Sequence, residues 1–179
     1  MTTARAAAAL LVAVIALAVI GCAPTYVPTS TYPPIGSTPL PAGDTTNATV
    51  NAVIGALGAA GLQAAVSPTP YRPPEGPLLA AAPRTIVQVT MPDDPTHGFI
   101  VVYALDSPNA ALAAARDHAR WVSDPVGNIN LPPGTRFELR VIGSNVILFT
   151  WLPASSPDKR NDQIGPALES IGEAVQVPS

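Results

Sequence analysis

Residues 136–152 read RFELRVIGSNVILFTWL. In the first half Phe137, Leu139 and Val141 alternate with Arg136, Glu138 and Arg140, the period of two that a strand needs to bury one face and wet the other. Gly143-Ser144-Asn145 supplies a turn, and Val146 to Leu152 returns as a largely apolar run ending in Trp151. The stretch is a β-hairpin, and its apolar return strand must be covered. Upstream, Thr85 to Met91 alternates and is rich in β-branched residues. Gly98 to Leu105, GFIVVYAL, is apolar on both faces and belongs at the centre of a sheet. The residues between them, Met91-Pro-Asp-Asp-Pro-Thr-His-Gly98, are turn formers. A shorter strand fits Gln63 to Val66, before a proline-rich excursion, SPTPYRPPEGP, at residues 67–77.

Three helices fit around these strands. Val50, Val53, Ile54 and Leu57 share one face of a helix over about Thr46 to Ala60, with Asp44, Thr45 or Thr46 as N-cap and Gly61 as a left-handed C-cap. Gly55, Gly58 and Gly61 recur every third residue without the strand, Lys and Ser/Thr of a phosphate loop, and close helix packing is the expectation. Ser107-Pro108 opens a second helix with Leu112, Ala115, Ala119 and Val122 as its buried stripe. A third, over about Asp162 to Val175, lines up Ile164, Leu168, Ile171 and Val175, with Pro166 near its start. The expected fold is α+β: a single domain with about three helices on a mainly antiparallel sheet of about four to five strands, in the order α-β-β-β-α-β-β-α.

The N-terminus is of another kind. Met1 to Arg5 carries one positive charge, and Ala6 to Ile20 is a run of fifteen apolar residues, the shape of a secretory signal. A transmembrane helix would need about twenty, and Pro24, Pro28, Pro33 and Pro34 block helical continuation. Val19-Ile20-Gly21-Cys22 resembles the lipobox of bacterial lipoproteins, although Leu is commoner than Val at the first position. That resemblance implies lipid transfer to the Cys22 thiol and cleavage between Gly21 and Cys22. Each buried methylene is worth ~0.8 kcal/mol, so two or three acyl chains hold a soluble domain durably where one does not. Residues 25–43, TYVPTSTYPPIGSTPLPAG, have no charge and no periodicity, and fit an extended tether. The layout is a lipoprotein signal peptide at 1–21, a Pro/Thr/Ser-rich tether at 22–45 and an α+β domain at 46–177. The stretch from Ile100 to Ala115, a V-V-Y-A run leading into an Ala-rich helix, also loosely resembles small uncharacterised bacterial surface lipoproteins, a likeness that implies no activity.

Composition narrows the chemistry. Cys22 is the only cysteine, so the domain holds no disulfide, thiol nucleophile or Cys-ligated metal. Apart from Arg5, eight basic residues stand against twelve acidic ones and are scattered, so nothing in the charge favours nucleic acid or an anionic bilayer. No G-x-S-x-G elbow occurs. His97 and His118 are expected on the surface, and the adjacent Asp93 and Asp94 in a turn. No catalytic residue, cofactor or metal is assigned. The candidate binding surface is Tyr71 and Arg72 in the Pro-rich loop, with the Arg136, Glu138 and Arg140 strand face, because exposed loops and strand faces carry recognition. The expectation is a non-catalytic lipoprotein, anchored through Cys22 on the extracytoplasmic side of the cell membrane, binding an envelope protein or a cell-wall component. The alternative is a small-ligand or lipid carrier with an apolar cavity between sheet and helices.

Overall fold

The structure is a computed structural model and describes residues 43–129 and 131–177. Cys22, the leader and the tether as far as Ala42 lie outside the described residues. These residues form an α+β domain of five helices and one six-stranded sheet in which all neighbours are antiparallel.

In chain order the elements are α1 (Asp44–Ala59), β1 (Ala64–Val66), α2 (Pro77–Ala81), β2 (Arg84–Val89), β3 (Phe99–Ala104), α3 (Pro108–Ser123), α4 (Pro125–Asn128), β4 (Arg136–Ile142), β5 (Asn145–Trp151), α5 (Asn161–Leu168) and β6 (Glu173–Ala174). A single 3₁₀ turn, Pro153–Ser155, follows β5. The sheet runs β1-β2-β3-β5-β4-β6, with one more strand than the upper expectation because the short β6 adds to the β4 edge. The hairpin closes as read, with Phe137 opposite Thr150 and Val141 opposite Val146.

Helices cover both faces of this sheet rather than one. The cause is the pair of central strands, whose residues alternate between two cores. Ile100, Val102, Ile147 and Phe149 pack with Val53, Leu57, Ile164 and Leu168 of α1 and α5. Val101, Tyr103, Val146 and Leu148 pack with Leu79 and with Ala111, Ala115 and Ala119 of α3. Each large apolar side chain fully buried in this way contributes about 1.5–3 kcal/mol. At the hairpin turn, Asn145 is buried: its amide donates to Thr49 Oγ1 at 3.1 Å and accepts from the Thr46 hydroxyl at 2.9 Å. That contact pins the start of α1 to the hairpin.

Helix boundaries follow caps more than periodicity. Ser107 accepts from the Ala110 N–H at 3.1 Å and Pro108 opens α3, as expected. The first helix starts at Asp44, two residues before the expected domain boundary, with Gly43 as an N-cap lacking a side-chain bond. Gly61 is left-handed at φ 78° and closes that helix. Gly55 and Gly58 face open space, so close packing does not explain them. The last helix ends at Leu168, not Val175. Gly172 turns the chain at φ 64°, Arg140 and Val141 pair with Ala174 and Glu173, and the Val175 N–H reaches the Leu139 carbonyl at 2.9 Å. Val175 therefore packs on the α3 face, opposite the one its helical spacing suggested.

Candidate functional site

Two polar regions stand apart, one inside the α3 face of the sheet and one at its β4 edge. On the α3 face, the Pro-rich excursion carries Glu75 into the interior, where its side chain is 1% exposed. The Arg72 Nε–H donates to Glu75 Oε1 at 2.6 Å, and Arg84 Nη1 donates to Oε1 at 2.7 Å and Oε2 at 2.9 Å. The Tyr103 hydroxyl donates to Oε2. Both arginines also bond the Ala80 carbonyl, and Arg84 lies 5.4 Å from the centre of the Tyr103 ring. Burying a carboxylate costs several kcal/mol, and full pairing is what makes it tolerable. Burial, with the Glu75 charge second, pushes the Tyr103 phenol well up, so it stays a donor. Tyr71, raised by the same two causes, stacks on Phe99 at 4.6 Å.

The same excursion is held by His118, which is fully buried on α3 rather than at the surface. Its Nδ1 accepts from the Gly76 N–H at 3.1 Å, so the neutral ring carries its proton on Nε2. Among the described residues that Nε2 has no hydrogen-bond partner, and the ring lies between Trp121 (5.9 Å) and the edge of Phe137 (6.4 Å). Burial lowers its pKa to about 4, against the opposing pull of the Glu75 and Asp117 carboxylates. His97, half-buried, pairs through Nδ1 with Asp94 at 2.7 Å within the β2–β3 turn. Burial works to raise Asp94, and hydrogen bonds from Ser156, His97 and Thr96 outweigh it to hold the carboxyl below its usual range.

The second region borders the α5 face and the open edge of β4. Because β6 pairs with β4 only at Arg140 and Val141, residues 135–139 are left beside a groove of about 560 Å³. Its walls are β4, the outer side of α5 with Asp162, Gly165, Pro166 and Glu169, and the C-terminal segment 174–177. Trp151 lies in it, stacked on Phe149 at 4.7 Å. Gly165 lets the indole approach, since a Cβ there would stand 3.0 Å from the Trp151 ring. Arg136, Asp162, Glu169 and Gln176 are exposed along it and engage no side-chain partner among the described residues.

The expected binding residues are thus divided. Arg136 and Glu138 line the groove, whereas Tyr71 and Arg72 belong to the α3 face and help hold Glu75. Arg140 is buried: it bonds Glu138 at 2.7 Å and the carbonyls of Ile171 and Gly172, locking β6 in place. The strand-face alternation was right and its exposure was not, because β6 and the turn before it cover Arg140. Sequence reading missed Glu75, His118, Trp151, Asp162 and Glu169. Only the EGP at the end of the proline run hinted at a constrained glutamate.

No protein-family model matches the chain, and neither a curated protein nor a solved structure matches it significantly. Among the described residues no cluster of three His, Cys, Asp or Glu side chains is arranged to hold a metal ion, and no helix is long and apolar enough to cross a membrane.

Proposed function

We propose that the protein is an exported lipoprotein, held to the extracytoplasmic side of the cell membrane by lipid on Cys22, whose domain is a non-catalytic binding module for a component of the cell envelope. The anchoring half rests on Val19-Ile20-Gly21-Cys22 at the end of the apolar leader. The binding half rests on one observation: Arg136, Asp162, Glu169 and Gln176 line the groove with no side-chain partner among the described residues. Exposed side chains that do nothing for the fold and surround a concavity are the usual makings of a recognition site. The groove is open and bordered by charge, so its lining does not favour an apolar carrier.

Two measurements test the two halves separately. Cys22→Ser should move the protein from the membrane fraction to the soluble one, and retention at the processed mass would remove the anchor. A photo-crosslinking amino acid in place of Gln176 should give covalent adducts in illuminated intact cells, and the same group at Asp93 should not. Equal yields at the two positions, or none at either, would remove the binding reading.

A further inference from the structure

The chemistry of the groove narrows what it would hold, an inference that rests on the binding reading above. We propose that it takes a neutral saccharide, a short segment of glycan laid along α5 between Arg136 and Gln176.

The polar groups are mixed in kind. Arg136 offers fixed donors, Asp162 and Glu169 offer acceptors, and Gln176 offers both. A ligand that satisfies all of them must itself present donors and acceptors close together, as vicinal hydroxyls do. The charge balance points the same way: among the described residues that line the groove, one unpaired cation faces two unpaired carboxylates, a balance that repels polyanions, and one arginine is too little positive charge to grip a phosphate chain. Trp151 supplies an apolar surface beside these groups. The carbon face of a sugar ring is the counterpart that an aromatic ring can cover while the hydroxyls reach sideways to charged groups.

The wall itself breaks the rules of its own helix. Gly165 and Pro166 stand together inside the eight residues of α5, at costs of about 1 and about 3 kcal/mol in a helix interior. Gly165 is explained by the Trp151 ring that it admits. Pro166 is exposed on the groove and has no N–H to give the Asp162 carbonyl. Of the two, only Pro166 breaks a local rule without gain to the fold, which is the kind of exception that functional surfaces carry. The volume, about 560 Å³, falls within the roughly 300–1,000 Å³ of small-ligand clefts.

A polypeptide strand fits less well. The Leu139 carbonyl faces outward to Val175, so by alternation Phe137 is the next residue whose N–H and C=O face the open edge. Thr135 donates its N–H to Pro132 at 3.1 Å. One free residue is a short ladder for an added strand.

The chain has two tryptophans, so Trp121→Phe leaves Trp151 as the only tryptophan, read by excitation at the red edge where tyrosine does not absorb. Full-length protein in detergent micelles would be titrated with the N-acetylglucosamine tetramer and, separately, with a glucose tetramer. The expected result is a saturable change in Trp151 emission with at least one tetramer. The apparent Kd should rise about tenfold or more in Glu169→Gln and in Asp162→Asn, as for loss of a hydrogen bond to a charged group, and stay unchanged in Asp93→Asn. If Trp121→Phe does not fold, calorimetric titration of the natural sequence gives the same comparison. No saturation with either tetramer, or saturation that ignores the groove substitutions, overturns the proposal. Saturation by reduced, alkylated casein and by neither tetramer would make the groove a peptide slot, overturning the saccharide while leaving the binding reading in place.

Discussion

The two polar regions use the same residue types to opposite ends. Around Glu75, two arginines, a tyrosine and a carboxylate are committed to one another inside the α3 face. Around the groove, an arginine and two carboxylates stay apart, each facing solvent. Buried charge is tolerable only when paired, so the first region has one arrangement and serves the fold. Exposed charge is nearly free to leave unpaired, and the second keeps its capacity for something else. Burial, not composition, separates the polarity that the fold uses from the polarity that it leaves exposed.

The largest expected effect is at the buried end. Glu75→Gln removes the charge between two guanidinium groups, one of them 19% exposed, and leaves their cationic heads facing each other. Breaking a buried ion pair this way costs roughly 3–5 kcal/mol. Urea unfolding should show the midpoint falling with little change in slope. A loss below about 1 kcal/mol would mean that the carboxylate is solvated and that the contrast between the two regions is false.

A second effect separates the regions by pH. Unfolded His118 titrates near 6.5, and the folded ring at about 4. Between those values the unfolded chain takes up a proton that the folded one refuses. Stability is therefore full above about pH 6.5 and declines as pH falls towards 4. The loss is about 3 kcal/mol, at 1.36 kcal/mol for each pH unit of displacement. His118→Gln, which keeps a carbonyl to accept from the Gly76 N–H and cannot titrate, should flatten the profile in that window. Every other titrating group is common to the two proteins, so the difference between the two profiles isolates the histidine. Parallel profiles would show that the ring is accessible to water and that the face is not sealed.

How far these features were legible in the sequence depends on the range of the contact that makes them. The hairpin, the central strand and the Ser107-Pro108 helix start are set by neighbours a few residues apart, and alternation and capping chemistry revealed them. Glu75 meets Tyr103 across 28 residues, and Gly76 meets His118 across 42; no local pattern encodes either distance. His118 sits on the stripe with Ala111, Ala115 and Ala119, yet a histidine on an alanine-rich helix reads as surface until the Pro-rich excursion is known to fold over it. The last helix failed in the same way. The apolar spacing of Ile171 and Val175 suits a helix, and the pairing of Glu173 and Ala174 with β4 overrides it. The groove is assembled from β4, Trp151, α5 and residues 174–177, so only Arg136 and Glu138 could be named beforehand, from the strand they share.

The smallest expected effect is the one that most sharpens the contrast. Glu169→Gln, Asp162→Asn and Arg136→Gln each change an exposed side chain with no partner among the described residues. Asp162 and Glu169 also sit at opposite ends of α5, where the helix dipole acts in opposite directions. Neutralising Asp162 in the first turn should cost a few tenths of a kcal/mol, and neutralising Glu169 at the C-terminal end should gain about as much. The Arg136 change should stay within about 0.5 kcal/mol of zero. Thermal unfolding of the three variants beside Glu75→Gln puts both regions on one scale. If the groove substitutions prove as damaging as the buried one, their side chains are part of the fold and the groove is a seam. If they are silent in stability and reduce crosslinking or saccharide binding, these residues are kept for recognition, because the fold gives no other reason for them.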